Sequence, residues 1–236
     1  MQLYKTITIP SVLNPASIND LNNQLHLLEK EEARFVVLQG TDAVFCNGLD
    51  LRWVADNTDG DYSEGMQAYA DFLKKLQTIN AITIAVVKGK ASGGGMGVVC
   101  ACDYVLATSN AEFSLPEGLF GLIPGMIMPA LLNKMLPQQV KKMVLTSKGY
   151  SAETALQWGI VDELIDINEV DKKLNDLTQT MKSCKQHSVG DIKQMLYDVT
   201  YSKDELAKTG MAILSQRLNQ ADIKERLQDI VAFMED

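Results

Sequence analysis

Histidine is almost missing from this chain: only His26 and His187 occur in 236 residues. Both stand in helical, polar surroundings and read as surface residues. Cysteine is scarce too. Cys46, Cys100, Cys102 and Cys184 form no C-x-x-C pair, which argues against a zinc site. Cys100 and Cys102 lie in an apolar run and read as small buried hydrophobes. No G-x-S-x-G segment is present, so the commonest serine-nucleophile turn is missing. Positive charge is in deficit, with 22 Lys and Arg against 30 Asp and Glu, a formal net charge of −8. Nucleic-acid binders normally carry a basic face, so this balance argues against that class of partner. Apolar runs fall far short of the ~18 residues that a membrane helix needs. The first residues show no basic stretch followed by an apolar one, so no leader is expected and the reducing cytoplasm is the default location. Repeats and low-complexity segments are absent.

What is present is ordinary globular material: 46% hydrophobic and 22% charged residues, enough for one large core. Leu3–Ile9 reads as a strand. Asn14-Pro15 opens a helix to about Glu31, with Asn14 as N-cap and Pro15 in the first turn. Phe35–Gly40 and Ile82–Val87 are short buried strands, and Tyr104–Ala107 is a third. Phe45–Asp50 reads as a turn before a helix starting near Leu51. Residues 57–65 read as a polar, mobile loop before a helix over Met66–Gln77. Gly93-Gly94-Gly95 turns the chain into an apolar helix ending near Cys102. Glu112–Leu115 is extended and Gly118–Gly125 is a loop. Helices are predicted near Met128–Met135, Gln138–Thr146 and Ala152–Trp158, with a strand over Gly159–Leu164. The alternation predicts an α/β architecture with largely parallel pairing. From about Val170 the pattern is helical only, a tail that caps the core or builds a subunit interface. The expected division is a core over 1–168 and a helical region over 169–236.

Two places carry candidate chemistry. Three glycines between a buried strand and a helix let a ligand approach the backbone, and the helix start presents unpaired N–H groups. Such a turn can hold a phosphate or a developing oxyanion. It can equally be a tight connection. No Gly-Lys-Ser/Thr follows, so it is not a phosphate loop, and a G-x-G-x-x-G register is missing. The second place is Glu117, with Phe113, Leu115, Leu119 and Phe120 around it. Apolar surroundings raise a carboxyl pKa and suit it to proton transfer near neutrality. The alternative is a glutamate on a surface turn. Seven lysines, Lys74, Lys75, Lys88, Lys90, Lys134, Lys141 and Lys142, are either solvated helix faces or a local patch for an anion.

Several segments resemble a known family. Phe45-Cys46-Asn47-Gly48-Leu49-Asp50-Leu51 resembles the F-x-x-G-x-D-[LIF] turn of the crotonase (enoyl-CoA hydratase/isomerase) superfamily. Gly93-Gly94-Gly95-Met96-Gly97, followed by Cys102–Ala107, resembles its second motif. Phe113-Ser114-Leu115-Pro116-Glu117-Gly118, running on to Gly125, resembles its third. Ser151–Asp162 resembles the family's late S-A-x-x-A-x-x-x-G-L-V segment. The four stand in family order and spacing, and cover about residues 1–165.

The resemblance implies a ββα spiral core with a C-terminal helical trimerisation region. It implies that the backbone N–H groups of Leu49 and Gly94 form an oxyanion hole, and that Glu117 is the acid/base. It places Cys46, Gly48, Gly93, Gly95, Gly97, Leu119, Tyr62 and Tyr69 around the substrate. Asp50 either faces that pocket or caps the Leu51 helix. Tyr62, Tyr69 and Phe72 line an acyl pocket or pack in the core. Typical hydratases carry a second glutamate where this chain has Gly97, so an ordinary hydratase is disfavoured. Single-glutamate relatives include Δ3,Δ2-enoyl-CoA isomerases and the dehydratases of polyketide β-branching. Phe113–Leu132, with Pro129, is similar to the latter, which dehydrate 3-hydroxy-3-methylglutaryl groups on an acyl carrier protein. A non-catalytic scaffold subunit is the reading from another class. The expected partners are an acyl carrier protein or CoA thioester and further copies of the chain, as a trimer or hexamer. No metal or redox cofactor is expected.

Overall fold

The computed structural model describes residues 3–57, 62–199 and 203–233. The chain opens with β1 (Lys5–Thr8) and α1 (Pro15–Lys30), and continues through β2 (Phe35–Gln39), β3 (Val44–Cys46), α2 (Leu51–Asp56) and α3 (Ser63–Thr78). Next come β4 (Ile82–Val87), β5 (Lys90–Ser92), α4 (Gly94–Ala101), β6 (Tyr104–Thr108) and β7 (Glu112–Ser114). A 3-10 turn over Glu117–Phe120 leads to α5 (Met128–Lys134), α6 (Pro137–Thr146), β8 (Tyr150–Ser151), α7 (Ala152–Gln157) and β9 (Glu163–Ile165). The last four helices are α8 (Val170–Met181), α9 (Gln186–Val199), α10 (Lys203–Leu218) and α11 (Ala221–Phe233).

The strands sort into two sheets. One is parallel throughout, in the order β1-β2-β4-β6-β9; the other runs β3-β5-β7-β8, with only β7 and β8 antiparallel. Each consecutive pair, β2/β3, β4/β5 and β6/β7, contributes one strand to each sheet, so the chain climbs as a ββ-plus-helix spiral. Every residue of β4 is buried, yet side-chain alternation still assigns its two faces. Ala85 and Val87 point into the main core with Phe45, Phe72 and Met96, whereas Ile82, Ile84 and Val86 meet Val170 and Leu174 of α8 and Val189 of α9. The helical tail therefore begins as a second layer on the large sheet.

Polar groups lock the outer layer. Asp103 Oδ2 accepts from Thr83 N (2.7 Å), Thr83 Oγ1 (2.9 Å) and Lys193 Nζ (2.6 Å). The Lys193 ammonium, almost wholly buried, also donates to the carbonyls of Leu76 and Ala81, both at 2.9 Å. At the N-terminal side, Asn14 and Ser17 make a reciprocal capping box at the start of α1, each contact 3.0 Å, with Pro15 at the first helical position.

Three expectations are corrected, and two strands are added. Phe45–Asp50 is not all turn, because Val44–Cys46 pairs with β5. β5 and β8 are strands that the pattern does not disclose. The strand expected over Gly159–Leu164 starts only at Glu163, after Gly159 has turned the chain at φ +79°. The loop expected over 57–65 gives way to α3 at Ser63; its residues 58–61 lie outside the described residues. Strands of two or three residues show no period of their own, and their partners lie tens of positions away.

Candidate active site

The turn at Gly48 and the turn at Gly93-Gly94 lie backbone against backbone. A Cβ on Gly48 would stand 2.6 Å from Gly94 N, and Gly48 adopts φ +87°, which also favours glycine. Gly93 adopts φ +51° and donates its N–H to Ser114 O (3.1 Å). The turn after Gly48 is fixed from the other side: Leu13 N donates to Gly48 O (2.7 Å) and Asp50 N donates to Leu13 O (2.8 Å). Those two bonds hold the outer edge of residues 48–50. The N–H of Leu49 lies on the opposite edge, and among the described residues it donates to nothing. The Gly94 N–H, at the first position of α4, is likewise uncommitted. Two free donors thus sit on adjacent rigid turns, and both residues line one cavity of about 820 Å³.

Glu117 closes this cavity from the third turn. Its Oε1 would lie 3.4 Å from a Cβ on Gly93. Its Oε2 is buried and has no hydrogen-bond partner among the described residues. Burial pushes the carboxyl up from 4.5 to about 7, against a smaller lowering by the backbone N–H of Glu117 itself. A carboxylate so placed gives up or takes a proton near neutrality and has nothing of the protein's own to exchange it with. Beside it, the hydroxyls of Ser114 and Ser92 pair at 2.9 Å at the ends of β7 and β5.

The predicted residues separate into two groups. Leu49, Asp50, Tyr62, Tyr69, Gly93, Gly94, Glu117 and Leu119 line the cavity. Cys46, Gly48, Gly95 and Gly97 do not; they stand behind its wall. Cys46 is fully buried, and its Sγ accepts from Gly48 N at 3.4 Å. A Cβ on Gly95 would meet Cys46 O at 2.2 Å, and one on Gly97 would meet Ile127 Cγ2 at 2.4 Å. These four residues bring the turns together rather than touch what lies between them. Asp50 caps α2, its Oδ1 accepting from Arg52 N (3.1 Å) and Trp53 N (3.2 Å), while bordering the cavity. Tyr62 donates to Val54 O and Asn57 O, tying α3 to α2. Phe72 is core alone.

Most of the seven lysines are engaged locally. Lys75 pairs with Glu29, Lys88 with Asp42 and Lys134 with Asp162, while Lys74 and Lys142 lie over the rings of Tyr197 and Trp158. Lys74 and Lys75 share α3, Lys141 and Lys142 share α6, and five of the seven have a local partner. Lys90 alone of the seven borders the cavity.

The far wall was not legible beforehand. Trp53 and Met66 pack with Leu214 and Leu218 of α10 there, and Ile230 of α11 lines the same cavity, so the tail roofs the cavity of its own chain. The helical pattern of the tail was readable; which of its faces meets which loop was not.

Fold and site together define a crotonase-fold protein. The family model for enoyl-CoA hydratase/isomerase matches residues 7–236, and the chain belongs to that family. It is 33% identical over 154 residues to the bacillaene synthase dehydratase PksH of Bacillus subtilis, spanning 64% of this chain and 60% of that protein. It is 30% identical over 173 residues to the carnitinyl-CoA dehydratase of Salmonella typhi, spanning 72% of this chain and 66% of the relative. Both matches thus fall short of two thirds of the relative's length. Among solved structures, a polyketide biosynthesis enoyl-CoA hydratase (PksH) from Bacillus subtilis superposes with a TM-score of 0.90 at 25% identity, covering 98% of this chain and 94% of the other. An enoyl-CoA hydratase from Bacillus halodurans shares the fold, with a TM-score of 0.87 at 20% identity and 97% of both chains covered.

Proposed function

We propose that the protein is a lyase that dehydrates 3-hydroxy-3-methylglutaryl on an acyl carrier protein to the 3-methylglutaconyl thioester, in polyketide β-branching. The observation that carries the reading is Glu117: a buried carboxyl, unpartnered at Oε2, beside two uncommitted backbone donors. In this reading Leu49 N–H and Gly94 N–H receive the thioester oxygen. Glu117 takes the Cα proton, and the electron pair moves onto that oxygen as an enolate. The pair then returns to form the C2–C3 double bond as the C3–O bond breaks. The departing hydroxide takes the proton back from Glu117 and leaves as water. Two preorganised donors in a low-dielectric site stabilise the enolate far more than water does. With one carboxylate at both proton transfers, the elimination is syn. The resemblance to the β-branching dehydratases and the 33% identity to PksH support the carrier and the acyl group.

The apolar far wall, with Leu214, Leu218 and Ile230, favours a second reading, a Δ3,Δ2-enoyl-CoA isomerase. It would use the same donors and move a proton from C2 to C4 through Glu117. A scaffold subunit has no use for an unpartnered buried carboxyl. The chain assembles as a homotrimer or a hexamer, and needs no metal or redox cofactor for either reaction.

The test is incubation with 3-hydroxy-3-methylglutaryl-loaded acyl carrier protein, read by intact mass spectrometry. Loss of one water, abolished in Glu117→Ala, is the expected result. No loss across several carrier proteins, with turnover of a Δ3-enoyl-CoA, would transfer the assignment to the isomerase.

A further inference from the structure

One group at the site is not used by either reaction. Tyr69, on the inner face of α3, is 2% exposed, and its ring stacks on Phe72 with centroids 6.4 Å apart. Tyr69 borders the cavity, and its hydroxyl is engaged by the backbone. It donates to the carbonyl of Gly94 at 2.5 Å. It also stands 3.4 Å from the place of a Cβ on Gly94 and 3.0 Å from that of a Cβ on Gly97.

Three glycines in a row make the softest backbone a chain can have, because no side chain restricts φ or ψ. A donor that stabilises a developing charge must instead be held still before the charge appears. At Gly94 the holding comes from outside. Gly48 packs against Gly94 N on one side, the Gly93 N–H is tied to Ser114 O, and the Tyr69 hydroxyl grips the carbonyl on the far side of the same Cα. The phenol keeps its proton under all ordinary conditions, since burial first, and then the nearby Cys46, Glu117 and Cys100, push its pKa well above 10. Room for a side chain at Gly97 is taken as well, by Ile127 Cγ2 at 2.4 Å and by the Tyr69 hydroxyl. The tyrosine that fixes the donor therefore helps fill the space beside Gly97, the position at which hydratases carry a second carboxylate.

We propose that Tyr69 is the positioning residue of this site: its hydroxyl, bound to the Gly94 carbonyl, fixes the Gly94–Gly95 peptide, and through the shared Cα it holds the Gly94 N–H where that group meets the thioester oxygen. The inference rests on the oxyanion-hole reading given above, but not on the acyl group or the reaction.

The experiment needs no turnover. Two pantetheine thioesters labelled with 13C at the carbonyl, 3-methylglutaryl and butyryl, have no hydroxyl to lose. Each is bound to the wild type and to Tyr69→Phe, and the carbonyl stretch is read by infrared difference spectroscopy, with Kd and melting temperature alongside. The wild type is expected to shift the stretch to lower frequency with at least one of the two. Tyr69→Phe is expected to lose half of that shift or more, with Kd changed less than about threefold, since one weakened hydrogen bond to the carbonyl is a small part of what binds the whole thioester. An undiminished shift in Tyr69→Phe would overturn the inference and leave the oxyanion hole standing. A wild type that binds neither thioester, or shifts neither carbonyl, would overturn both. Should Tyr69→Phe fail to fold, 4-fluorophenylalanine at position 69 fills the same space without donating; a wild-type shift there would overturn the inference equally.

Discussion

Gly125 and Gly210 pass backbone against backbone: a Cβ on Gly210 would lie 2.2 Å from Gly125 O, and one on Gly125 would lie 2.3 Å from Gly210 O. This contact joins the loop after Glu117 to α10, which carries Leu214 and Leu218 into the cavity roof. Gly210 is helical, so by propensity alone Gly210→Ala stabilises α10 by about 1 kcal/mol. The contact demands the reverse, a loss of about 1–3 kcal/mol as helix and loop are forced apart. A lowered melting temperature, with faster amide exchange along α10, is the expected outcome. A raised one would mean that the roof does not rest on this pair.

The buried ammonium of Lys193 makes a second test. It bonds Asp103 and two carbonyls across α3, the sheet and α9. Lys193→Met preserves length and removes the donors, leaving the Leu76 and Ala81 carbonyls unmatched. The expected cost is about 2–4 kcal/mol, as when one partner of a buried charged network is removed. Denaturant unfolding should show the midpoint lowered at unchanged slope.

Much of this was legible in the sequence, for reasons that differ by element. β2, β4 and β6 disclose themselves as apolar runs between glycines or turns, and α1 through Asn14 and Pro15. At Glu117 the neighbours Phe113, Leu115 and Phe120 offer a desolvated carboxyl and a surface turn as alternatives, and the burial of Oε2 decides between them. β3, β5 and β8 are not legible, since each exists only through pairing with a distant strand. The hydrogen bond from Tyr69 to Gly94 spans 25 positions and leaves no trace in spacing. Gly97 reads as a missing carboxylate, but what fills its place, Ile127 and Tyr69, needs coordinates. The lysines read more readily as solvated helix faces than as a patch, and for Lys75, Lys88 and Lys134 the partners Glu29, Asp42 and Asp162 show the local engagement.

On α9, Ile192 (50% exposed), Met195 (68%) and Val199 (75%) fall on one helical face, turned away from the buried Lys193 and Tyr197. Spacing of three and four residues makes one apolar stripe. The proposed trimer gives that stripe a cover. Met195→Asp with Val199→Asp is expected to shift sedimentation from trimer towards monomer, with no loss of helical circular dichroism. A wild type that sediments as a monomer at micromolar concentration would remove the trimer from the proposal.

The titration of Glu117 links activity and stability with opposite signs. Its carboxyl is pushed from 4.5 to about 7 by burial, so the folded state holds this proton more tightly than the unfolded one. The resulting stabilisation is fully present below about pH 4.5 and is lost as pH rises through 7, by about 3 kcal/mol in all. In the proposed reaction the base that removes the Cα proton exists only above that same pH. Activity should therefore climb through pH 7 to a plateau while the melting temperature declines. Glu117→Gln carries no such charge and should melt above the wild type at pH 8.5, with the gap closing at pH 5. Equal melting of the two proteins at both pH values would mean that the carboxyl is hydrated and not desolvated, and the cavity would then lose the feature that suits Glu117 to proton transfer.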